Sequence, residues 1–227
     1  MAESPSIGQA GAADTKTRIL DSAERLFAEH GFAATSLRGI TADAGVNLAA
    51  VHYHFGSKEG LVEAVFARRV GPLNDERLSL LDECEADGGG LEDILRALLG
   101  PALRLTHAHS DDFVMRLLGR MFSEPGERVQ AIFTEQFREV ALRFTSALQA
   151  VVPKLPAQEF FWRMHFMIGA MAHTMVDTHR IQFLSRGLCD PTDVDGNIER
   201  LVTFIAAGFR AQSTRPAPGP ERKGGST

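Results

Sequence analysis

Polar side chains crowded between Thr35 and Lys58 carry the clearest chemistry in this sequence. Thr35 and Ser36 place hydroxyls and backbone N–H groups where a helix begins, an arrangement that suits a phosphate. Lys58 stands at another helix start. There its charge opposes the helix dipole but is well placed for a phosphate outside. Arg38 offers a planar fork to a guanine edge or to a minor groove, and a plain phosphate contact is the alternative; both stay open. Asn47, Leu48, Ala49, Ala50 and His52 form a short surface suited to base edges. Tyr53, the only tyrosine in the chain, can reach a backbone oxygen with its phenol, and His54 belongs to the same surface.

Other reactive residue types make weaker patterns. His173 and Asp177 lie one helical turn apart with His179 nearby, and His107 and His109 flank Ala108. A metal could use such pairs, but ordinary satisfied or exposed histidines are the simpler reading. There is no phosphate-cradling glycine loop, no nucleophile elbow and no metal-spaced Cys/His set, so neither an enzyme, a metal nor a cofactor is expected. Cys84 and Cys189 are far apart, as suits small apolar fillers in a reducing cytoplasm.

These residues must be positioned by helices, because apolar spacing is helical throughout and no alternating strand stands out. Ile19, Ala23, Leu26 and Phe27 form one face, and Gly31 stops that helix. Thr35 or Ser36 caps a second helix with Leu37, Ile40 and Ala44 inside. Gly45 ends it in a left-handed turn, and Asn47 caps a third, about Leu48 to His54. Ser57 caps a long fourth helix through Leu61, Val65, Leu73 and Leu80. After Gly88-Gly89-Gly90, a helix from Leu91 should kink near Pro101. A short segment from Asp112 to Phe122 follows, then a long helix from Gly126 to Val152. Further helices run from Pro156 to about Arg180 and from Asp193 to Ala211. The expectation is an all-α fold of about nine helices. Residues 1–14 and 212–227 are read as disordered tails.

With 227 residues, 44% of them apolar, the chain can bury a sizeable core. It shows no apolar run of membrane-spanning length and no secretory leader pattern, which points to a cytoplasmic protein. The net charge of −5 offers no basic footprint for nucleic acid. Within residues 15–60, Lys16, Arg18, Arg25, Arg38 and Lys58 are balanced by Asp21, Glu24, Glu29, Asp43 and Glu59. Pattern and placement must therefore carry any such reading.

Three short helices split by tight turns form a helix-turn-helix geometry, in which the third presents its side chains to a major groove. The stretch TRILDSAERLFAEHGFAATSLRGITADAGVNLAAVHYHFGSKEGL resembles the DNA-binding head of the TetR family along its whole length. Gly31-Phe32, Thr35-Ser36, Ile40, Ala44-Gly45-Val46, Tyr53-His54-Phe55 and Ser57-Lys58-Glu59 carry the match. Many members have Thr-Leu-Tyr where this chain has Ala50-Val51-His52; without that tyrosine and its customary phosphate contact, His52 is either a base reader or a spacer. The resemblance implies a DNA-binding head at 15–60 and a ligand-binding, dimerising body at 61–211. It also implies a homodimeric repressor that binds double-stranded operator DNA and answers a small effector.

In the body, FFWRMHFMIGAMAHTM (Phe160–Met175) resembles the fatty-acid-responsive regulators of the PsrA type. That resemblance implies a fatty acid or acyl-CoA effector; an aromatic or cationic ligand of an efflux or catabolic regulator is the alternative. Residues 158–178 are apolar nearly all round, which calls for burial on more than one side. Phe113, Met115, Met121, Phe122, Phe133, Phe137, Phe144 and Met167 are candidates to line an apolar cavity, with plain core packing as the simpler reading for each. Small residues permit close helix approach at a dimer seam, expected around Gly169, Ala170, His173, Leu201, Ile205, Ala207 and Gly208.

Overall fold

A computed structural model describes residues 7–108, 127–176 and 178–213. Among these residues the chain is all helical. The helices are α1 (Ile7–His30), α2 (Leu37–Ala44), α3 (Leu48–Phe55), α4 (Lys58–Ala86), α5 (Leu91–Ala108), α6 (Glu127–Gln136), α7 (Arg138–Val151), α8 (Ala157–Val176), α9 (Thr178–Leu184) and α10 (Val194–Arg210). Several bounds differ from the sequence expectation. Helix α1 starts at Ile7 instead of near residue 15, because Ala10, Ala12 and Ala13 are strong helix formers that extend it backwards. The long helix expected over 126–152 is two, with a turn at Phe137. The helix expected to reach Arg180 is described on both sides of residue 177, as α8 and α9. Helix α5 runs through Pro101 and α4 through Pro72. The segment expected at Asp112 to Phe122 lies outside the described residues.

The described residues fall into two compact units, one within Met1–Glu76 and Ala108–Ala141, the other within Arg77–His107 and Leu142–Thr227. In the first, Ile19, Leu20, Ala23 and Phe27 of α1 meet Ile40 and Ala44 of α2, Val51 of α3, and Leu61, Val62, Val65 and Phe66 of α4. Each fully buried side chain of this size contributes about 1.5–3 kcal/mol. Phe32 closes this core from the loop after α1, its ring centroid 5.2 Å from Phe27 and 5.4 Å from Phe66. Val129, Ile132 and Phe133 of α6 pack against the same core. Glu24, almost wholly buried, joins α1 to α4 through Arg69, whose Nε donates to its carboxylate at 3.0 Å.

The second unit packs the inner stripe of α5 (Ile94, Leu95, Leu98, Leu99, Leu103) with Ile198, Leu201, Val202, Ile205 and Phe209 of α10, all buried. Arg96–Glu199, Arg104–Asp195 and Arg210–Glu92 ion pairs bridge these two helices. Arg163 of α8 donates to the carbonyls of Gly208, Phe209 and Ala211 at 2.8–2.9 Å, satisfying the orphan acceptors where α10 ends. Arg143 ties α7 to Asp82 and Glu85 of α4.

A candidate nucleic-acid interface on the first unit

Capping sets the geometry of this surface. Ser36 caps α2 with its Oγ accepting from Gly39 N at 3.1 Å, and Asn47 caps α3 with its Oδ1 accepting from Ala50 N at 2.9 Å. Between them Gly45 takes φ +63°, and its N–H returns to the carbonyls of Ala42 and Thr41. Val51 is fully buried and pins one side of α3 to the core. Leu48, Ala49, His52 and Tyr53 therefore lie on the outward side, spaced as neighbours on one helical face. Tyr53 is 83% exposed, far more than is usual for a tyrosine.

The remaining expected contacts sort unevenly. Arg38 is exposed beside this face. Lys58 is half-buried along its stem, with Nζ donating to Ala33 O at 3.4 Å, which brings the ammonium to the α1–α2 loop. Thr35 is a correction. Its side chain is buried, and its hydroxyl donates to Gly31 O at 2.7 Å and lies 3.1 Å from Leu26 O, so it closes α1 and does not meet phosphate. Ala50 is a second correction, since it packs half-buried against the core and turns away from the reading face. His54 is half-buried, its ring 5.0 Å from Tyr53 and 6.0 Å from Phe55.

Ion pairing resolves the charge balance that composition left unexplained. Asp43 is taken by Arg25, Asp21 by Arg68, Glu24 by Arg69 and Glu59 by Arg128. Hydrogen bonds from Ser22 and then Arg25 hold the Asp43 carboxyl below its usual range. Four acids of the head are thus offset by internal partners, while Arg38 and Lys16 are exposed with no ion pair among the described residues. Local charge, more than net charge, decides what the surface attracts.

Arg18 was not singled out by the sequence, and it positions the site. Its Nη2 donates to Gly45 O at 3.0 Å and also to Ala44 O, so α1 holds the turn that leads into α3. The contact spans 27 residues, and no local spacing announces it.

The body residues are placed as follows. Phe113, Met115, Met121 and Phe122 lie outside the described residues, as do His109 and Asp177, on which the metal-type pairs depend. Among the described residues no group of His, Cys, Asp and Glu could hold a metal. The Phe133 and Phe137 rings lie tilted with centroids 4.5 Å apart in the first unit, whereas Phe144 and Met167 are buried in the second. The second unit carries an open groove of about 590 Å³ along Leu103, Ile181, Leu184, Leu188 and Phe204, with Arg180 and Arg200 beside it.

For the expected seam, Gly169, His173, Ala207 and Gly208 are exposed and Ala170 is half-buried. Leu201 and Ile205 are corrections: both are buried within the chain's own packing, Leu201 at the wall of that groove. Helix α8 is likewise not enclosed on several sides. Phe160, Met167 and Met175 are its buried side chains, while Phe161, Trp162 and Phe166 are more than half exposed, as is Phe204 of α10.

The head matches the model of the bacterial regulatory proteins of the tetR family over residues 19–65, and residues 96–208 match the tetracyclin repressor-like C-terminal domain. An HTH-type transcriptional regulator of Mycobacterium bovis, Mb3439c, is 32% identical over 154 residues, covering 68% of this chain and 74% of the relative. YerO of Bacillus subtilis, an uncharacterized HTH-type transcriptional regulator, is 26% identical over 60% of this chain. The match spans only 46% of YerO's length. Among solved structures, the fatty acid degradation regulator FadR of Bacillus halodurans superposes with a TM-score of 0.63 at 16% identity, covering 93% of this chain and all of that one. FadR of Bacillus subtilis, in complex with stearoyl-CoA, gives 0.57 at 13% identity over 82% of this chain and 96% of that one.

This architecture defines a helix-turn-helix transcriptional regulator. The chain belongs to the TetR family of bacterial regulatory proteins.

Proposed function

We propose that this protein is a homodimeric, cytoplasmic repressor that holds a pseudo-palindromic operator through α3 and releases it on binding a small apolar effector. Residues 15–60 form the reading head, and 61–211 hold the effector and dimerise. The observation that carries the reading is the outward face of α3, where Leu48, Ala49, His52 and Tyr53 stand exposed on the helix that Asn47 caps. One such helix contacts too few bases to be specific alone. Two copies, with half-site centres about 34–36 Å apart or a multiple of that, supply the rest.

The open apolar face of Phe161, Trp162 and Phe166 supports a second copy as its cover. A Cβ built on Gly169 or Gly208 would meet nothing within 4 Å in its own chain. These glycines are therefore not required by internal packing, and close approach of another helix gives them a use.

For the effector, a long-chain fatty acid or its CoA thioester is favoured by the described ligand of the Bacillus subtilis neighbour and by the apolar groove with arginines at hand. A gel-shift assay with the DNA upstream of the protein's own gene, with and without acyl compounds, tests the reading. A retarded complex that acyl compounds dissolve supports it; no complex on that or any selected DNA overturns it.

A further inference from the structure

We infer that His52 reads a base in the major groove as a hydrogen-bond acceptor, selecting adenine or cytosine at one position of each half-site. This rests on the reading of α3 as the recognition helix. The His52 Nδ1 lies 2.9 Å from the carbonyl oxygen of Gly56. A carbonyl can only accept, so the proton of the neutral imidazole sits on Nδ1, and Nε2 keeps its lone pair.

The ring is held by one hydrogen bond, across a turn that a backbone hydrogen bond closes. Gly56 N–H donates to His52 O at 3.0 Å, and His52 Nδ1–H donates back to Gly56 O. The left-handed turn at Gly56, φ +72° and ψ −55°, brings that carbonyl within reach. A ring fixed in this way loses little further freedom when it meets a base.

Polarity then decides what Nε2 accepts. The exocyclic amino groups of adenine and cytosine donate in the major groove, while guanine O6 and N7, thymine O4 and phosphate oxygens only accept. The lone pair attracts the first set and repels the second. The side chains that precede it on this face do not duplicate this role. Leu48 and Ala49 have no polar side-chain atom, and Asn47 uses its Oδ1 on Ala50 N, which leaves its amino group to donate.

The test is selection of binding sites from a random duplex pool by the full-length protein and by His52→Ala and His52→Lys. His52 is exposed, so both variants should keep the wild-type circular dichroism and melting curve. Wild type should enrich adenine or cytosine at one symmetric position. His52→Ala should lose about 2- to 12-fold of preference there, with the other positions and the salt dependence unchanged. The lysine variant, which can only donate, should move the preference to guanine. A ¹⁵N spectrum should show His52 Nε2 unprotonated in the free protein. An unaltered consensus in His52→Ala overturns the inference. So does an equal loss on all DNA with a salt slope lower by about 1.8, which marks a phosphate contact. If wild type selects no consensus at all, the DNA-reading proposal beneath it falls first and separately.

Discussion

The Arg18 guanidinium donates to the carbonyl oxygen of Gly45 at 3.0 Å, joining the first helix of the head to the turn that launches α3. Gly45 is also where a Cβ would stand 2.8 Å from Arg18 Nη2. The two residues therefore share one site. Arg18→Ala should lower stability by about 1 kcal/mol, since its bonds are partly exposed. Gly45→Ala should cost about 1–2 kcal/mol, because L side chains disfavour that backbone conformation. Denaturant unfolding of the double variant should show less than the sum, as displacing Arg18 is part of the Gly45→Ala cost. Strict additivity would show the residues to be independent.

Lys58 is expected to act on phosphate without choosing sequence. Lys58→Ala removes one contact per chain, so the slope of log affinity against log salt should flatten by about 1.8 for a dimer. Operator and random DNA should weaken alike. Arg38→Ala separates the alternatives for that residue: a base reader loses about 1–3 kcal/mol at one position, whereas a phosphate contact repeats the Lys58 result.

Phe166 and Gly169 test the covering of α8. Phe166→Glu or Gly169→Arg should yield folded monomers with weak operator binding, because neither residue supports internal packing. Light scattering decides it. Dimers of undiminished affinity in both variants would remove α8 from the seam.

Acid should loosen the α5–α10 packing of the second unit. Arg210 holds the Glu92 carboxyl below its ordinary range, and Arg96 does the same for Glu199, in each case first through a direct hydrogen bond. A depressed carboxyl adds stability above its unfolded pKa and loses it as pH falls through the folded value. The melting temperature should therefore fall below the ordinary glutamate range. Glu92→Gln/Glu199→Gln should melt lower than wild type at neutral pH and converge with it in strong acid. A constant gap between the two melting curves across that range would show that these pairs do not set the acid response.

Acyl chain length offers a sharper test of the effector than its presence. Each buried methylene contributes about 0.8 kcal/mol, so two more carbons should tighten binding up to roughly fifteen-fold until the site is full. A ligand must favour the DNA-free conformation to release operator, and a coupling of about 1–3 kcal/mol weakens binding about 5- to 150-fold. Titrating saturated acids and CoA thioesters of increasing length against the operator complex should show a rise and a cut-off. Release by an aromatic or cationic compound alone would leave the TetR assignment intact and remove the acyl proposal.

Local rules made much of the head legible. Ser36, Gly45, Asn47 and Gly56 act through capping and backbone conformation within a few residues, so the edges of α2 and α3 could be read directly. The same locality explains the errors. Thr35 and Ser36 are equivalent as caps in sequence, and only packing against the end of α1 turns the Thr35 hydroxyl inward. Ala50 belonged to the recognition stretch by position, but the register set by buried Val51 turns it to the core.

In the body, the apolar residues themselves did not say which of them face inward. The sequence by itself determined an all-helical chain and the helix edges of its head, because periodicity, caps and turn glycines are short-range signals, and its resemblance to known heads pointed to the family. Only the tertiary structure decided which charges remain outside. It paired Arg25 with Asp43 and Arg69 with Glu24 across 18 and 45 residues, and it left Arg38 exposed. It also divided the apolar residues of α8 into buried Phe160 and Met167 and exposed Phe161, Trp162 and Phe166. Both outcomes depend on how helices distant in sequence pack, and no local spacing encodes that.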